Sequence, residues 1–184
     1  MQLNRCSWAE SNELLRDYHD KEWGVVQHDD NKLFEFLNLE GAQAGLSWLT
    51  ILKRRDGYIK AFDNFNPNKI KNYDDKKIAS LLNDPGIIRN RLKVNAVIEN
   101  SKAYLKIKKN YGSLDKYLWQ FTGNKTLTRK DHVKAEQISN LMSKELKSRG
   151  FKFVGPTICY AFMQATGMIN DHAPDCYRYE ELKP

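Results

Sequence analysis

Arg149-Gly-Phe-Lys-Phe-Val-Gly-Pro-Thr157 carries the strongest information on the architecture, because it joins two segments with helical spacing. The segment before it predicts an amphipathic helix over residues 131–149, and Gly150 lies just beyond its end. The segment after it predicts a helix over residues 157–166, with Pro156 suited to the first helical position. A turn of this kind can offer backbone N–H groups to a phosphate, although an ordinary connection between helices looks similar.

Helical spacing recurs in the rest of the chain and strict alternation is scarce, so the sequence predicts an all-α protein. The first thirty residues look irregular, and the first long helix should begin near Asp30. We expect one domain over residues 1–184. The further predicted helices cover residues 47–62, 76–82, 87–108 and 117–121, and residues 122–130 are predicted as a loop.

The charge balance favours a polyanionic partner without proving one. Thirty Lys and Arg residues against 23 Asp and Glu residues give a net charge of +7, which a solvated lysine-rich surface would also produce. The segment Met1–Arg5 lacks the apolar core of a signal peptide, and no stretch approaches the ~18 apolar residues of a membrane span. We therefore expect a cytoplasmic protein with no membrane partner.

Two Cys/His pairs lie near opposite ends of the sequence. Cys6 and His19 form the first pair, and His172 and Cys176 form the second with H-x3-C spacing. Two Cys and two His suit a closed, tetrahedral, structural zinc site that would tie the two ends together. The alternative is that these are four unrelated core and surface residues.

Glu40 is an anomaly, because it follows Phe36 and Leu37 on the core-facing side of the predicted helix. A carboxylate in that position should be paired, have a raised pKa or line a pocket. The alternative is a residue at a helix end that is satisfied by backbone donors or by a lysine.

Aromatic residues and a candidate apolar wedge surround these positions. Leu46 can lie at the tip of a loop within Glu40-Gly-Ala-Gln-Ala-Gly-Leu-Ser-Trp48, although the same small residues would suit a crossing of two helices. Trp8, Tyr18 and Trp23 lie beside the proposed zinc ligands. They would suit a stacking pocket, or they could simply fill a small core.

Taken in order, these motifs give the chain a specific resemblance. The chain resembles the constitutive 3-methyladenine DNA glycosylases of bacteria essentially from end to end. The segments that carry the resemblance are Cys6 with Trp8, Tyr18-His-Asp-Lys-Glu-Trp-Gly24, Glu40–Trp48, Gly86-Ile-Ile-Arg89, Arg149–Gly155, Ile158-Cys-Tyr160 and Asn170-Asp-His172.

The resemblance implies a helix–hairpin–helix fold with two helical lobes around a base-binding cleft. It also implies a structural zinc on Cys6, His19, His172 and Cys176, and a base pocket formed by Glu40 with Tyr18, Trp48, Trp8 and Trp23. In two respects the sequence departs from the superfamily. Phe153 stands where many members have a glycine, and the usual catalytic Asp has no secure counterpart. Asp171 lies in the corresponding region, but it adjoins His172 and could orient that ligand instead.

The implied activity is excision of N3-methylated adenine from double-stranded DNA. The base would be flipped out and its N-glycosidic bond hydrolysed, leaving an abasic site without strand cleavage. We expect Glu40 to be the catalytic residue, a monomeric enzyme and no nucleotide cofactor. The expected DNA contacts are Leu46, which would fill the gap left by the base, and the turn residues Gly150, Lys152, Gly155 and Thr157.

Two other classes of protein remain open from the residues. A metallohydrolase would use zinc to activate water, but catalytic zinc usually keeps three protein ligands and an open position, not four ligands. A non-enzymatic DNA-binding module stabilised by zinc would fit the basic charge equally well. Such a module would not explain an inward-facing Glu40 among aromatic residues.

Overall fold

A computed structural model of the chain describes residues 3–183 and is built mainly from helices. The described residues form eleven α-helices with short 3-10 turns between some of them. The helices are α1 (Glu13–Lys21), α2 (Asp30–Gln43), α3 (Trp48–Leu52), α4 (Arg55–Ala61), α5 (Pro67–Ile70), α6 (Asp75–Asn83), α7 (Arg91–Tyr111), α8 (Leu114–Trp119), α9 (His132–Ser148), α10 (Pro156–Ala165) and α11 (Tyr177–Glu181). None of them combines the length and apolar composition of a membrane span.

Helix α2 lies at the centre of the fold. It begins where predicted, and its cap residue Asp29 accepts a hydrogen bond of 2.8 Å from the backbone N–H of Lys32. Every residue over 33–42 is buried, because α3, α7, α8 and α10 pack around this helix. The last turns of α2, which carry Glu40, therefore lie inside the molecule.

Helices α9 and α10 confirm the two helices predicted on either side of the turn at residues 149–155. Gly150 adopts a φ of +98°, a left-handed conformation that glycine tolerates best. Phe153 adopts a φ of +53°, which is uncommon for an aromatic residue. The turn runs beside α2, where a Cβ atom on Gly41 would lie 3.1 Å from both Cβ and O of Phe153.

The predicted loop over 122–130 is wrong at two residues, and the structure is not strictly all-α. Leu127–Thr128 (β1) pairs in parallel with Ile169–Asn170 (β2). Two-residue strands are too short to leave an alternating pattern in the sequence. This pairing holds the segment before α9 against the segment that carries Asp171 and His172.

Three other predicted boundaries are corrected. The first thirty residues contain α1, which Asn12 caps by accepting a hydrogen bond from Leu14. The predicted helix over 47–62 is broken between α3 and α4, where Arg54 has a non-helical ψ of 2°. Arg55 is thereby positioned to bond Glu35 and Glu22 at 2.7 and 2.8 Å. The basic helix begins at residue 91 rather than 87, and it runs on to residue 111.

Candidate functional site

A cleft of about 610 Å³ opens between the N-terminal segment, the end of α2, α3 and α10. Both ends of the chain contribute to it. The five residues expected to bind a base all line this cleft, and so does Asp171; they are Trp8, Tyr18, Trp23, Glu40 and Trp48.

Glu40 lies in the wall of the cleft with only 3 % of its surface exposed. Within residues 3–183 its Oε2 atom has no hydrogen-bond partner. Desolvation by burial raises the pKa of its carboxyl group to about 8. The side chain is therefore mostly neutral at pH 7 in the free protein, and a positive charge nearby would restore the carboxylate.

Tyr18 and Trp48 carry two further unpaired polar atoms in the same wall. Tyr18 Oη and Trp48 Nε1 are buried and have no hydrogen-bond partner among the described residues. Their rings lie 5.3 Å apart at an interplanar angle of 50°. Burial, together with the nearby Glu40, raises the pKa of Tyr18 well above its ordinary value, so its hydroxyl keeps its proton. Since buried polar groups are normally paired, this set is suited to a polar ligand.

Trp8 and Trp23 supply aromatic surface to the cleft. Their rings meet edge to face at 5.1 Å, and Trp23 also packs edge to face on His172 at 4.5 Å. Trp8 contacts Tyr18 at 6.4 Å between ring centroids. Rigid aromatic walls of this kind are suited to a flat, π-bonded ligand.

The four predicted metal ligands come together beside the cleft, all buried, with their ligand atoms within 4.8 Å of one another. The Sγ atom of Cys176 lies 3.4 Å from His19 Nε2 and 3.6 Å from His172 Nδ1. Cys6 Sγ also lies 3.6 Å from His172 Nδ1. Tetrahedral zinc with ordinary bond lengths places S and N ligands about 3.6 Å apart, so the donor set and its spacing fit this metal.

The second nitrogen of each histidine ring is held in place. His19 Nδ1 lies 2.8 Å from Asp20 Oδ1, and His172 Nε2 lies 3.1 Å from the carbonyl oxygen of Trp23. Burial lowers the pKa of both histidines, that of His172 to about 4, which keeps the rings neutral. A neutral ring that donates from its outer nitrogen leaves the inner one free to bind metal. Asp20 is not predicted by the sequence as part of this site, because its only signal is its position next to His19.

Asp171 does not orient His172, and that alternative is wrong. Its Oδ2 atom accepts a hydrogen bond of 2.7 Å from Gln164 Nε2, and its Oδ1 atom lies 3.9 Å from Arg129 Nε. It faces the cleft together with both of these residues. Gln164, Arg129 and Gln43 were also missed as lining residues, since no local pattern marks an isolated polar side chain as part of a cleft.

Leu46 lies in the turn between α2 and α3, beside the cleft, and is 40 % exposed. Gly45 precedes it with a φ of +77°. The amino group of Lys93 donates to the carbonyl oxygens of Ala42 and Ala44 at 2.7 and 2.8 Å, which fixes the start of this turn. The apolar side chain of Leu46 is thus exposed to solvent on a turn whose start is fixed by hydrogen bonds.

The other expected DNA contacts lie in the turn at 149–155 and at the start of α10. The N–H groups of Gly150 and Lys152 already donate, to the carbonyl oxygen of Lys147 at 3.0 Å and to Asn100 Oδ1 at 2.7 Å. The side chains of Lys152 and Thr157 are exposed. Helix α10 makes its first internal bond from Cys159 to Gly155, so the earlier N–H groups of the helix have no acceptor within it.

Comparison with known proteins finds relatives over nearly the whole chain. The methyladenine glycosylase family matches residues 8–179. DNA-3-methyladenine glycosylase 1 of Escherichia coli (strain K12) is 43 % identical over 99 % of this chain and 100 % of its own length. DNA-3-methyladenine glycosylase of Haemophilus influenzae is 43 % identical over 94 % of this chain and 96 % of its own.

A solved structure shares the fold. The structure of 3-methyladenine DNA glycosylase I from Staphylococcus aureus, described as showing recognition of 3-methyladenine, superposes with a TM-score of 0.90. It is 35 % identical to this chain and covers 99 % of it, and the match covers 97 % of the S. aureus chain. Both the sequence and the fold therefore agree over nearly the whole length, and the chain belongs to the methyladenine glycosylase family.

Proposed function

We propose that this protein is a DNA repair glycosylase that removes 3-methyladenine from alkylated double-stranded DNA. Membership of the methyladenine glycosylase family supports the reaction class. The observation that carries the proposal is the buried, unpaired carboxyl group of Glu40 among aromatic walls. That group does not stabilise the free protein, because no hydrogen-bond partner within residues 3–183 offsets the free-energy cost of burying it.

Charge explains why an alkylated base is preferred to a normal one. An adenine alkylated at N3 is cationic while it is attached to the sugar, and a cation beside Glu40 favours the carboxylate form. The aromatic faces of Trp8 and Trp48 add cation–π attraction of about 0.5–2 kcal/mol. Normal adenine is neutral, so it gains neither the attraction to the Glu40 carboxylate nor the cation–π attraction. The hydrogen-bonding groups of Tyr18 and Glu40 then read the polar edge of the base.

Hydrolysis of the glycosidic bond needs little acid assistance in this substrate. The N3-alkylated base leaves as a neutral molecule, so no group has to protonate it. The Glu40 carboxylate stabilises positive charge that develops on the sugar and orients water. The residues that line the cleft within 3–183 include no lysine, the usual amine nucleophile, so we expect no strand cleavage.

The DNA is held at two places outside the cleft. Leu46 enters the base stack where the flipped nucleotide has left a gap. The free N–H groups at the start of α10, together with Thr157, Gly155 and the side chain of Lys152, bind a backbone phosphate. In this proposal, Gly150 shapes the turn through its left-handed backbone and contacts the DNA beside these residues.

The finer features expected from the sequence belong to the same proposal. Helices α9 and α10 with their turn act as a helix–hairpin–helix, and two helical lobes in one domain flank the cleft. The Cys6, His19, His172 and Cys176 set holds zinc, which when bound supplies a cross-link between the two ends of the chain. We also propose a monomer that acts in the cytoplasm, where bacterial DNA is found.

Release of free base from methylated DNA, resolved by chromatography, tests the proposal. The wild type should release 3-methyladenine, and Glu40→Gln should release it about 10²–10³-fold more slowly, as for other lost electrostatic contacts to a transition state. Glu35→Gln is the matched control, because Glu35 is buried on the same helix but bonds Arg55 and Lys32 away from the cleft.

Three outcomes are distinguished. Equal release by wild type and Glu40→Gln would keep the glycosylase but move the key role to another residue, with Asp171 the next candidate in the cleft. A comparable loss in Glu35→Gln would mean that general destabilisation explains the result. No release by a folded, metal-loaded wild type would leave a DNA-binding module.

A further inference from the structure

The side chain of Asn100, on α7, forms hydrogen bonds to both backbone polar groups of Lys152, which lies in the turn at residues 149–155. Its Oδ1 accepts from the N–H of Lys152 at 2.7 Å, and its Nδ2 donates to the carbonyl oxygen of Lys152 at 3.3 Å. Only 2 % of Asn100 is exposed. A buried amide that pairs with both backbone groups of one residue fixes the position of that residue and the orientation of the two peptide groups on either side of it.

The same amide also reaches the helix that carries Glu40. Asn100 Nδ2 donates to Asn38 Oδ1 at 2.9 Å, and Asn38 Nδ2 donates to the carbonyl oxygen of Phe34 at 2.8 Å within α2. Asn38 is 5 % exposed and lies two residues before Glu40. A continuous path of hydrogen bonds therefore runs from the turn, through Asn100, to α2.

Packing beside this path is tight and conformationally demanding. The left-handed Phe153 directly follows Lys152 and lies against Gly41, where an added Cβ would be 3.1 Å from Phe153 Cβ. A backbone conformation of this kind persists only when its surroundings hold it in place. The bonds from Asn100 to Lys152 provide such a hold on the neighbouring peptide.

We propose that Asn100 is a positioning residue that sets the distance between the phosphate-binding turn and the base cleft. The proposal rests on the proposed function, in which DNA is held at the turn while its flipped base lies beside Glu40. Both contacts belong to one rigid substrate, so an error in their separation displaces the glycosidic bond in the cleft. A displacement of about 1 Å can slow a reaction about 10²-fold.

If Asn100 positions the turn, its replacement should impair the reaction of methylated DNA but not the binding of free 3-methyladenine. Free 3-methyladenine occupies the cleft alone and does not depend on the turn, whereas methylated DNA needs both contacts. Asn100→Ala should therefore lower the single-turnover rate of base release from methylated DNA about 10–100-fold. The Kd for free 3-methyladenine, followed by tryptophan fluorescence, should stay within about twofold, the change expected of an unaltered site.

Ser101→Ala is the matched control. Ser101 is the next residue of α7, is fully buried, and donates only to the carbonyl oxygen of Val97 in its own helix, at 2.8 Å. Its loss removes a buried hydrogen bond but none that joins α7 to the turn or to α2. It should leave both the DNA reaction and free-base binding within about twofold of the wild type, since it is not part of the hydrogen-bond path through Asn100.

Asn38→Ala is a milder second variant in case Asn100→Ala fails to fold. It removes the contact between Asn100 and α2 and keeps both bonds to Lys152. We expect a smaller loss of about 3–10-fold on methylated DNA, again with free-base binding unchanged. Hydrogen exchange at residues 150–155 should accelerate in Asn100→Ala but not in Ser101→Ala.

The results separate the two proposals. Base release by the wild type, with the variants of Asn100 and Asn38 behaving like Ser101→Ala, would overturn the positioning role alone. Equal losses for free base and for DNA would also overturn it, because a merely structural residue has that effect. No base release by the wild type would overturn the proposed function and this inference with it.

Discussion

The Cys/His cluster, formed by Cys6, His19, His172 and Cys176, lies beside the cleft and shares the same segments of chain, yet polar groups are satisfied in the cluster and left unsatisfied in the cleft. In the cluster, the outer ring nitrogens of His19 and His172 each meet a defined oxygen atom. In the cleft, Glu40, Tyr18 and Trp48 each bury a polar atom with no partner among residues 3–183. A region whose polar groups satisfy each other contributes to stability, whereas one with unsatisfied groups is prepared for a ligand.

The largest effect is expected from breaking the cluster. Cys176→Ala removes one of the four proposed zinc ligands, and it should lower the free energy of unfolding by more than about 5 kcal/mol, since structural zinc contributes folding energy directly. Denaturant unfolding and zinc content measured together would check this. Cys159→Ala is the control, because Cys159 is buried outside the cluster and bonds only the carbonyl oxygen of Val154. Similar losses in both variants would contradict a metal-specific role.

Replacement of Glu40 should raise stability, in contrast to the replacement of Cys176. Its pKa is raised from 4.5 to about 8, so between these values the folded protein keeps a proton that the unfolded chain has released. The free energy of unfolding therefore falls as pH rises through this window, by about 3–5 kcal/mol in total. Glu40→Gln cannot ionise, and it should gain stability relative to the wild type as pH rises from 4.5 to 8.

Urea unfolding of the two proteins at several pH values measures this difference directly. Parallel pH profiles for the wild type and Glu40→Gln would show that the carboxyl group titrates normally. A variant less stable than the wild type at pH 8 would show that Glu40 has a partner that stabilises its charge. Either result would mean that the carboxyl group of Glu40 is not left unsatisfied in the cleft, so the cleft would not differ from the cluster in this respect.

Tyr18→Phe should have the smallest effect on stability. The hydroxyl group of Tyr18 is buried without a partner, so its removal should leave the free energy of unfolding unchanged or raise it by about 1 kcal/mol. The same change should weaken the binding of 3-methyladenine about tenfold, through the loss of one hydrogen bond to the base. Thermal unfolding and fluorescence titration of one preparation would test both statements. A loss of stability with unchanged binding would reassign Tyr18 to the core.

The sequence predicts the parts of this protein that depend on local patterns. Helices α9 and α10 follow from apolar periodicity, a glycine and a proline, and the burial of Glu40 follows from its spacing after Phe36 and Leu37. The clustering of Cys6, His19, His172 and Cys176 was predicted from residue type, since few other roles bring Cys and His together twice.

The parts that were missed depend on contacts between distant residues. Asn38 and Asn100 are 62 positions apart, and nothing local marks either as a partner of the other. The break between α3 and α4 falls at Lys53 and Arg54, so no proline or glycine marks it in the sequence. The ion pairs of Arg55 with Glu22 and Glu35 can be recognised only in the three-dimensional structure. The β1–β2 pair is likewise set by tertiary packing, because two residues form no pattern.

The long sequence separation within the Cys/His cluster has a consequence for how the protein is made. Cys6 and His172 are 166 positions apart, so the cluster cannot close while most of the chain is still being synthesised. Contacts of such long range form late in folding, after local helices. The cleft shares its walls with this cluster, and a nascent chain on the ribosome therefore has no means of binding an alkylated base until synthesis is almost finished.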